Sequence, residues 1–580
     1  MSSLDLVAQA NRVLGVLYES CDHNSRMLFG SDMLRGDDSS IIATTVFHRV
    51  LNKFQAPTNR GETLLKKQCS AQWVEYEDRL RKHDFYTFEN CDRAVIYRAR
   101  ALLHKWFKNF KPSNDVEFTP GESFVSARGK TSVYRKLLHR QHWCVTHDAC
   151  DDFIRLCYSN LSLKRCAKAK LRPLDRSQRK RLYKAFEGSK QIGFEIFRFR
   201  MLTEVITLVH GSRGSSVPKN NQKRRFINVE ALGNMILQRT VAHSFRSVLS
   251  RVGNDLEVGQ ARHRELIRDS SLATIDFSNA SDSVIREIVR LMFPKQVFDL
   301  LDRYRSPFVL IDGVYHEPVK MSSMGNGFTF ELMSAMLLAI ARTMDANASV
   351  YGDDVIILNQ HAHAFIRATQ AVGFNVNKTK TFIDSRFRES CGAFYLDGHG
   401  YITCYDIKWC QNIKDVITSC NKLFLIARDN PQLSAFQDAH DALISLIPSL
   451  YQGPYPSNGM GDLPPYAVND KYLKKHMRDV SARRMHQLIC DKAKESLECL
   501  CYTPRDFCVV KVPTFIPKLA SPHIRDFSEG SVIAMSAALY AGGVVKDIIR
   551  NTGVWTDKLY IVTHSGILIP AKQLVSRSAS

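Results

Sequence analysis

The sequence contains no apolar run long enough to cross a bilayer. Its longest apolar windows, 332–341 and 532–545, are shorter than the roughly 20 residues that a membrane helix needs, and the second is interrupted by Ser536, Gly542 and Gly543. The first residues also lack a basic segment followed by an apolar run, which a secretory signal requires. We therefore expect a soluble, cytoplasmic protein without a membrane partner.

The sequence also lacks a disulfide framework. Its 15 cysteines are odd in number and scattered, which is typical of reduced thiols in an intracellular chain. One cluster, which contains Cys144, His147 and Cys150, has a spacing that permits zinc binding. Zinc sites usually consist of two short pairs separated by a longer loop, so we favour buried structural thiols here.

Acidic residues are too few to balance the basic ones. The chain has 80 Lys and Arg residues against 58 Asp and Glu, a net charge of +22 and a pI near 9.4. Such an excess indicates a polyanionic partner, nucleic acid first and an anionic membrane second. Between Lys164 and Lys184, ten cations accompany one acid, Asp175, which predicts either a solvated helix face or a phosphate-tracking surface. Phenylalanines alternate with arginines at 194–200, a pattern that suits base stacking or a half-buried strand.

The stretch 349–358 places Gly352, Asp353 and Asp354 between two runs of apolar β-formers. This pattern predicts a strand, a tight turn and a second strand, with two carboxylates at the tip. Gly352 tolerates positive φ and can turn the backbone there. Adjacent carboxylates repel each other unless a cation lies between them, which predicts a divalent metal site. A hairpin turn that happens to use Asp is the alternative.

A further candidate carboxylate lies upstream. The stretch 271–283 predicts a buried strand that ends at Asp276, followed by a helix capped by Ser278 or Ser281. A carboxylate at the end of a core strand is a usual position for a metal ligand, although Asp also caps helices.

Two other segments carry candidate nucleotide contacts. Residues 217–227 pack a proline, an asparagine pair and four cations before an apolar strand, so positive charge along one edge could hold a triphosphate. Residues 321–332 form a Gly-rich loop that opens a long apolar helix. Gly325 and Gly327 permit close backbone approach to a ligand, and Asn326 can hydrogen-bond to a base or sugar. A basic surface loop and an ordinary turn are the alternatives.

Together these segments are the parts of a two-metal site that joins nucleotides. Carboxylates from neighbouring strands hold two Mg²⁺ ions about 4 Å apart in such sites. One ion activates the 3′-hydroxyl of the growing strand, and the other holds the triphosphate and the leaving pyrophosphate. Hard oxygen ligands without clustered histidines favour Mg²⁺, with Mn²⁺ as a substitute.

The order of these segments and the residues within them resemble those of the RNA-directed RNA polymerases, specifically the replicase beta subunits of the single-stranded RNA bacteriophages, the leviviruses. The resemblance is carried by residues 218–221 with Arg225, 276–283, 324–332, 351–354, 380–382 and 387–392. It implies an α+β fold of the right-hand polymerase type, with fingers, a palm of antiparallel sheet plus helices, and a thumb. We expect residues 1–215 to form the N-terminal region and part of the fingers, 216–268 the fingers and nucleotide-entry segment, 269–400 the palm, and 401–580 a mainly helical thumb and C-terminal region.

The matched positions also imply roles for individual residues. Asp276, Asp353 and Asp354 would bind the metals and be catalytic, and Lys380 would protonate pyrophosphate. The nucleotide would be bound by Lys219, Arg225, Asp282, Gly325 and Asn326. The product strand would be supported by Arg388, Glu389 and Ser390.

The segment fits the pattern Ser-Gly-x3-Thr-x3-Asn of many viral RNA polymerases only in part, because Met324 stands in place of its Ser and Met333 in place of its Asn. Asn326 or Asp282 is therefore the candidate ribose contact.

The implied function is replication of a positive-strand RNA phage genome from NTPs in the cytoplasm of the infected bacterium, with primer-independent initiation. The implied partners are template and product RNA, host elongation factors Tu and Ts, and a host ribosomal protein. A reverse transcriptase is one alternative, but Ala280, Ser281 and Asp282 are small or polar where those enzymes carry a bulky aromatic. A non-catalytic RNA-binding phage protein is the other alternative. It does not explain the three aligned acids, because acids at a polyanion-binding site are costly unless a metal reverses their charge.

Overall fold

The computed structural model describes residues 3–28, 36–54, 62–116, 123, 136–137, 142–219, 223–411, 413–447, 508–513, 557–562 and 568–570. The chain forms two compact units, which are described separately below. The larger unit comprises 61–217 and 223–401, and the smaller comprises 1–60, 218–222 and 402–580.

The larger unit contains most of the described helices. They span Glu62–Arg81, Asn90–Trp106, Cys150–Ser159, Leu161–Lys170, Arg176–Ala185, Ile192–Arg200, Leu232–Arg251, Gly259–Leu266, Arg286–Met292, Lys295–Tyr304, Thr329–Ala341 and Asn359–Ala371. Short 3₁₀ turns at Phe85–Thr87 and Ala280–Asp282 and a π-helical turn at Met201–Val205 connect them.

Fourteen described strands belong to this part of the fold. In chain order they are β1 Trp143–Thr146, β2 Ile206–Val209, β3 Gly211–Pro218, β4 Arg224–Val229, β5 Leu272–Ile275, β6 Phe277–Ser278, β7 Phe308–Ile311, β8 Val314–His316, β9 Ser349–Tyr351, β10 Asp354–Leu358, β11 Asn375–Val376, β12 Phe387–Ser390, β13 Ala393–Leu396 and β14 Gly400–Tyr401. The central sheet is antiparallel in the order β5-β10-β9, and β12-β13-β14 forms a second antiparallel sheet. A four-stranded sheet has the order β4-β3-β7-β8.

The helix Thr329–Ala341 lies in the core of this unit. All of its residues except Phe330 are buried, as expected for a helix that is apolar on every side. It packs against the helices Asn90–Trp106 and Leu232–Arg251. It also packs against β9 and β10, so the central sheet lies on a helix that is buried on nearly all sides.

The smaller unit is mainly helical in its described part. It contains the helices Ser3–Leu28, Asp38–Lys53, Ile413–Asp429 and Ser434–Leu446, and a three-stranded antiparallel sheet of β15 Cys508–Pro513, β16 Asp557–Val562 and β17 Leu568–Pro570. Asn11 anchors its first helix, because the Asn11 amide donates to the Cys410 carbonyl and its oxygen accepts from the Cys410 N–H, both at 2.8 Å.

Several local predictions are confirmed. The chain is α+β, and the Gly352-Asp353 turn joins β9 to β10. The structure also has hairpins that turn at Asp312-Gly313 and within 397–400. Among the described residues, no helix has the length and apolarity needed to traverse a bilayer. The loop at 453–470, the basic run at 471–484 and the apolar window at 532–545 lie outside the described residues.

Two local predictions are wrong. Residues 194–200 belong to a helix rather than a strand, because Phe194 and Phe197 bury one helical face while Phe199 stays 46% exposed. After Asp276 the chain forms β6 and a 3₁₀ turn, and the next helix begins only at Arg286. Ser278 lies in β6, where it pairs with Asn375, so it caps no helix.

The Glu230 carboxyl allows the effect of burial on a pKa to be tested in the larger unit. It is buried, and Ser306 donates to its carboxylate at 2.5 Å. Burial raises the pKa of Glu230 from 4.5 to about 7, although hydrogen bonds from Ser306 and Gln238 oppose the rise. A carboxyl whose folded-state pKa is raised stabilises the fold most below its unfolded pKa, and this contribution is lost as pH rises towards 7.

We therefore expect Glu230→Gln to flatten the pH dependence of stability between about pH 4.5 and 7, which corresponds to about 3 kcal/mol at the upper end. The measurement is the thermal midpoint against pH for both proteins. A difference between the two curves that does not change across this range would contradict the assignment.

Candidate active site

The β9-β10 hairpin presents two carboxylates at its turn. Gly352 has φ +66°, and its N–H donates to the Ser334 hydroxyl at 2.9 Å. A Cβ at this position would lie 2.4 Å from the Phe330 ring, so only glycine fits both the backbone and the space. The core helix therefore fixes the turn that carries Asp353 and Asp354.

Asp276 is brought beside this hairpin by strand register. Ile275 in β5 lies opposite Val355 in antiparallel β10, so the next residues, Asp276 and Asp354, are also neighbours across the sheet. Asn377 holds Asp276 in place, since its side-chain amide donates to Oδ2 at 2.7 Å and its backbone N–H donates to the Asp276 carbonyl at 2.9 Å.

Asp354 is held by the turn between β12 and β13. Its Oδ1 accepts from the Cys391 N–H at 3.2 Å and from the Ser390 hydroxyl at 3.3 Å. Cys391 and Gly392 both have positive φ, at +52° and +75°, and this tight turn directs the Cys391 N–H at the carboxylate.

His263 supports Ser390 from behind. This fully buried side chain lies between two hydroxyls, with Nδ1 2.8 Å from Ser390 Oγ and Nε2 3.1 Å from Ser349 Oγ. Burial, assisted by nearby Arg262, lowers the pKa of His263 to about 3. The imidazole is therefore neutral at physiological pH and bridges β9 and β12 through hydrogen bonds alone.

The carboxylates of this site are desolvated and repel one another. Burial raises the pKa of Asp354 to about 7, and the neighbouring charge of Asp353 contributes to the rise. Burial likewise raises the pKa of Asp276 to about 6, where Lys380 opposes the shift and Asp353 adds to it. Half-buried acids with raised pKa values and a specific charge partner are characteristic of functional sites.

Lys380 supplies a positive charge beside these acids. Its Nζ lies 3.4 Å from Glu389 Oε1, and its side chain remains 47% exposed. Burial alone lowers the pKa of Lys380, but the carboxylates of Glu389 and Asp276 outweigh this effect and raise it overall. The ammonium group is therefore protonated at neutral pH and still reaches solvent.

The donor set fits a hard divalent cation. Asp276, Asp353 and Asp354 offer only carboxylate oxygens, which Mg²⁺ prefers, and a bound cation relieves their mutual repulsion. In the described part of the chain, the trio of candidate ligands whose atoms all lie within 4.8 Å of one another is Glu89, Cys91 and Asp92. The three aspartates do not form such a trio among the described residues.

The residues predicted to bind the nucleotide occupy different environments. Arg225 is exposed on β4, while Lys219 is exposed just after β3 and belongs to the smaller unit. Asn326 is buried, and its side-chain oxygen accepts from the Phe328 N–H at 3.0 Å at the start of the core helix. Gly325 has φ +105° and packs against the Asn228 backbone. Their nucleotide contacts stay predictions.

Asp282 is tied to a buried cation. Lys320, which is 1% exposed, pairs with Asp282 Oδ1 at 2.6 Å and with Glu77 Oε1 at 3.1 Å. The Lys320 ammonium also lies 4.5 Å from the centre of the Trp73 ring. The Asp282 side chain keeps 22% of its surface exposed, so its position is fixed while it remains accessible.

The three predicted product-strand residues point in different directions. Arg388 is buried, and its guanidinium donates to the Ile267 carbonyl at 2.7 Å and pairs with Asp397. Its charge therefore serves the packing of β12. Glu389 and Ser390 face the carboxylates described above, and their role towards a product strand stays a prediction.

Sequence reasoning missed several parts of this site. Asn377 lies close to Lys380 in the sequence, but nothing there marks it as the partner of Asp276. The Cys391-Gly392 pair is a hairpin signal, but its contact with Asp354 depends on the fold. His263 is far from the other site residues in sequence, and no pattern around it indicates its bridging position.

The cysteine cluster forms no site with these residues. Cys144, Cys150 and Cys157 are buried, and burial raises the pKa of the Cys144 and Cys150 thiols to about 11. The His147 side chain is 89% exposed and lies near Asp148. These thiols are buried, as expected for structural cysteines.

The α+β fold and the acid-rich sheet edge beside a lysine are typical of enzymes that transfer nucleotidyl groups. The family model described as RNA replicase, beta-chain matches residues 66–427, which is more than half of the chain. The chain belongs to this family.

Curated relatives of the chain are phage proteins. It is 37% identical over 225 residues to the RNA-directed RNA polymerase beta chain of Enterobacteria phage GA, a match that covers 37% of this chain and 42% of the relative. It is 36% identical over 257 residues to the RNA-directed RNA polymerase subunit beta of Enterobacteria phage SP, which covers 42% of this chain and 44% of the relative. The matched part thus spans less than half the length of each relative.

Solved structures give a weaker similarity. The RNA-dependent RNA polymerase of bacteriophage phi12 has a TM-score of 0.35 at 11% identity, covering 61% of this chain and 65% of that one. The RNA-dependent RNA polymerase of a human picobirnavirus has a TM-score of 0.30 at 12% identity, covering 60% and 87%. These values are too low to argue from, and the family membership does not depend on them.

Gly352 gives a direct test of how the turn is held. Gly352→Ala forces a Cβ against Phe330 in a left-handed backbone, so we expect a lower thermal midpoint and loss of any activity of the site. Gly398→Ala is the matched control, because Gly398 also has positive φ, at +87°, but meets open space. Backbone strain alone costs roughly 1 kcal/mol in the control.

The measurement is the thermal midpoint of both variants beside the unsubstituted chain. Equal losses in the two variants would show that packing against Phe330 is unimportant.

Proposed function

We propose that the chain is an RNA-directed RNA polymerase that replicates a positive-strand RNA phage genome in the infected bacterium. The observation that carries the proposal is the arrangement of Asp276 and Asp354 side by side on neighbouring strands, with Asp353 at the adjoining turn and Lys380 beside them. Membership of the RNA replicase beta-chain family supports it.

The proposed reaction joins a nucleotide to the 3′ end of RNA. The 3′-hydroxyl gives up its proton to solvent as its oxygen attacks the α-phosphorus of an NTP, a P–O bond forms, and the bond to the β-phosphate oxygen breaks to release pyrophosphate. Asp276, Asp353 and Asp354 would hold two Mg²⁺ ions, which would supply positive charge beside the attacking 3′-oxygen and the departing pyrophosphate; Mn²⁺ could substitute. Lys380 is protonated and solvent-accessible, and it donates a proton to the departing pyrophosphate.

The protein's own hydrogen bonds orient the acids. Asn377 fixes one oxygen of Asp276, and the Cys391 N–H with the Ser390 hydroxyl fixes one oxygen of Asp354. The remaining oxygens are therefore oriented before a substrate arrives, which lowers the reorganisation needed during the reaction. His263 keeps the Ser390 hydroxyl in position.

Asp353 is the residue with which to test the catalytic proposal. In Asp353→Asn we expect template-dependent GTP incorporation on poly(C) in Mg²⁺ to fall by about 10³-fold or more, because one of the proposed metal ligands is lost. Asp312→Asn is the matched control, since Asp312 is an exposed turn residue with φ +48° that Asn also tolerates. Full activity in Asp353→Asn would show that the measured incorporation does not depend on the proposed site. The chain would then be interpreted as a non-catalytic RNA-binding protein.

Sugar selection tests the role proposed for Asp282. We expect the chain to prefer GTP over dGTP by about 10²-fold or more, because a site that hydrogen-bonds a hydroxyl rejects the analogue that lacks it. Asp282→Asn weakens the pair with Lys320 and is expected to reduce this ratio. The ratio of kcat/KM values for the two nucleotides is measured, with Asp312→Asn again as control. A preference for dGTP would indicate a reverse transcriptase.

The host partners and the start of synthesis complete the proposal. We propose that the chain acts with host elongation factors Tu and Ts and a host ribosomal protein, and that initiation is primer-independent. The bands that co-purify with the chain from bacteria identify such partners, and incorporation on a template without a primer tests the mode of initiation.

A further inference from the structure

The helix Arg176–Ala185, called the basic helix below, stands apart from the core. None of its ten residues is buried. A helix that is polar on every side needs stabilisation from outside its own packing. Here it comes from a capping box, in which Asp175 Oδ1 accepts from the Gln178 N–H at 2.8 Å and Gln178 Oε1 accepts from the Asp175 N–H at 3.1 Å.

A small apolar contact attaches the basic helix to its neighbour. Leu182 and Phe186 are half-buried, and the Phe186 ring lies 6.0 Å from that of Phe199. Apart from Leu182, the residues of the helix are all exposed. What remains outward is a charged face rather than a hydrophobic one.

That outward face combines cations with an aromatic ring. Arg176, Arg179, Lys180 and Tyr183 follow the spacing i, i+3, i+4 and i+7, so they share one side of the helix. All four are exposed, and Tyr183 keeps 59% of its surface accessible. These four residues are called the outward face.

The charges of the outward face are not neutralised within the protein. Across the described residues, no carboxylate forms an ion pair with Arg176, Arg179 or Lys180; the contact made by Arg179 is with the Leu174 carbonyl, at 3.2 Å. More cations flank the face, namely Lys168, Arg172, Arg181 and Lys184. Unpaired charges held this closely repel each other, and a polyanion removes that cost.

We propose that the outward face binds single-stranded RNA, with the three cations on phosphates and a base stacked on Tyr183. The identification of the polyanion as RNA rests on the proposed function. An exposed ring beside several cations is the combination that single-stranded nucleic acid uses, because only unpaired bases offer a free stacking surface. A membrane surface fits less well, since the outward face offers one aromatic ring and no aliphatic side chain to insert among lipids.

The test is RNA binding by the full chain with the subunits that co-purify with it. The probe is a short labelled oligo(C), and fluorescence anisotropy is followed from roughly 50 to 200 mM salt. For Arg176→Gln/Arg179→Gln/Lys180→Gln we expect at least a tenfold loss of affinity at the lowest salt. Each lost phosphate contact on a single strand lowers the salt slope by about 0.7, so the slope should fall by about 2.

Tyr183→Ala separates stacking from charge. We expect roughly a tenfold loss of affinity for the single strand, an unchanged salt slope, and unchanged binding of a duplex RNA. Arg176→Lys/Arg179→Lys retains the charge and should retain most of the binding. A loss in this charge-preserving variant equal to that of the glutamine variant would point to disruption of the helix and overturn the proposal.

The matched control removes the same charge elsewhere. Arg98, Arg100 and Lys105 are exposed on the helix Asn90–Trp106, and Arg98→Gln/Arg100→Gln/Lys105→Gln should change affinity much less. Equal losses in both triple variants would show that net charge alone attracts RNA. A triple variant of the outward face that keeps RNA binding but loses a co-purifying protein would make the face a protein-docking surface.

Failure of the RNA-binding proposal can be distinguished from failure of the proposed function. If the unsubstituted chain shows no incorporation that depends on Asp353, the polymerase proposal fails. If it incorporates GTP but the outward-face variants bind oligo(C) with an unchanged affinity and slope, only the RNA-binding face is overturned.

Discussion

Repulsion between desolvated carboxylates is the constraint on which the candidate site depends. Asp276, directly after β5, and Asp354, the first residue of β10, are half-buried neighbours with little water to screen their charges. Burial of like charges is costly, so the fold must supply donors on one side and leave the other side to a cation. Asn377, Ser390 and the Cys391 N–H are those donors.

The rigid parts of the larger unit keep these groups together. The core helix Thr329–Ala341 is buried on nearly all sides and reaches the Gly352 turn through Phe330 and Ser334. On the opposite side, His263 links β9 to β12 by two hydrogen bonds without carrying charge. The carboxylates are therefore positioned by buried, well-packed elements rather than by mobile loops, which favours a preorganised site.

The positive charge of the chain is used in two different ways. Inside the protein, Lys320 and Arg388 are buried and paired with carboxylates. Their charges therefore hold the fold together and are not available to a ligand. At the surface, the basic helix presents cations that no carboxylate in the described part of the chain neutralises. The net charge in the sequence does not distinguish the two, because pairing depends on which residues meet in space.

The sequence by itself determined the local features of this protein. The Gly352-Asp353 turn, the strand before Asp276, the buried apolar helix and the Asp312-Gly313 hairpin all follow from short-range preferences of the backbone, which act between residues close in the chain. The order of these motifs was also sufficient to indicate the family. The half-buried strand, one of two interpretations of residues 194–200, is wrong, because a short alternating pattern does not separate a half-buried strand from a helix.

Only the tertiary structure decided which side chains meet. The contacts Asn377 with Asp276, Cys391 with Asp354, and Lys320 with Asp282 join residues far apart in sequence. It also showed that Arg388 serves packing and that the Asn326 side chain accepts from the Phe328 N–H just before the core helix. Such pairings depend on strand register and on burial, which change the partners, the solvation and the pKa of a side chain without altering the local pattern around it.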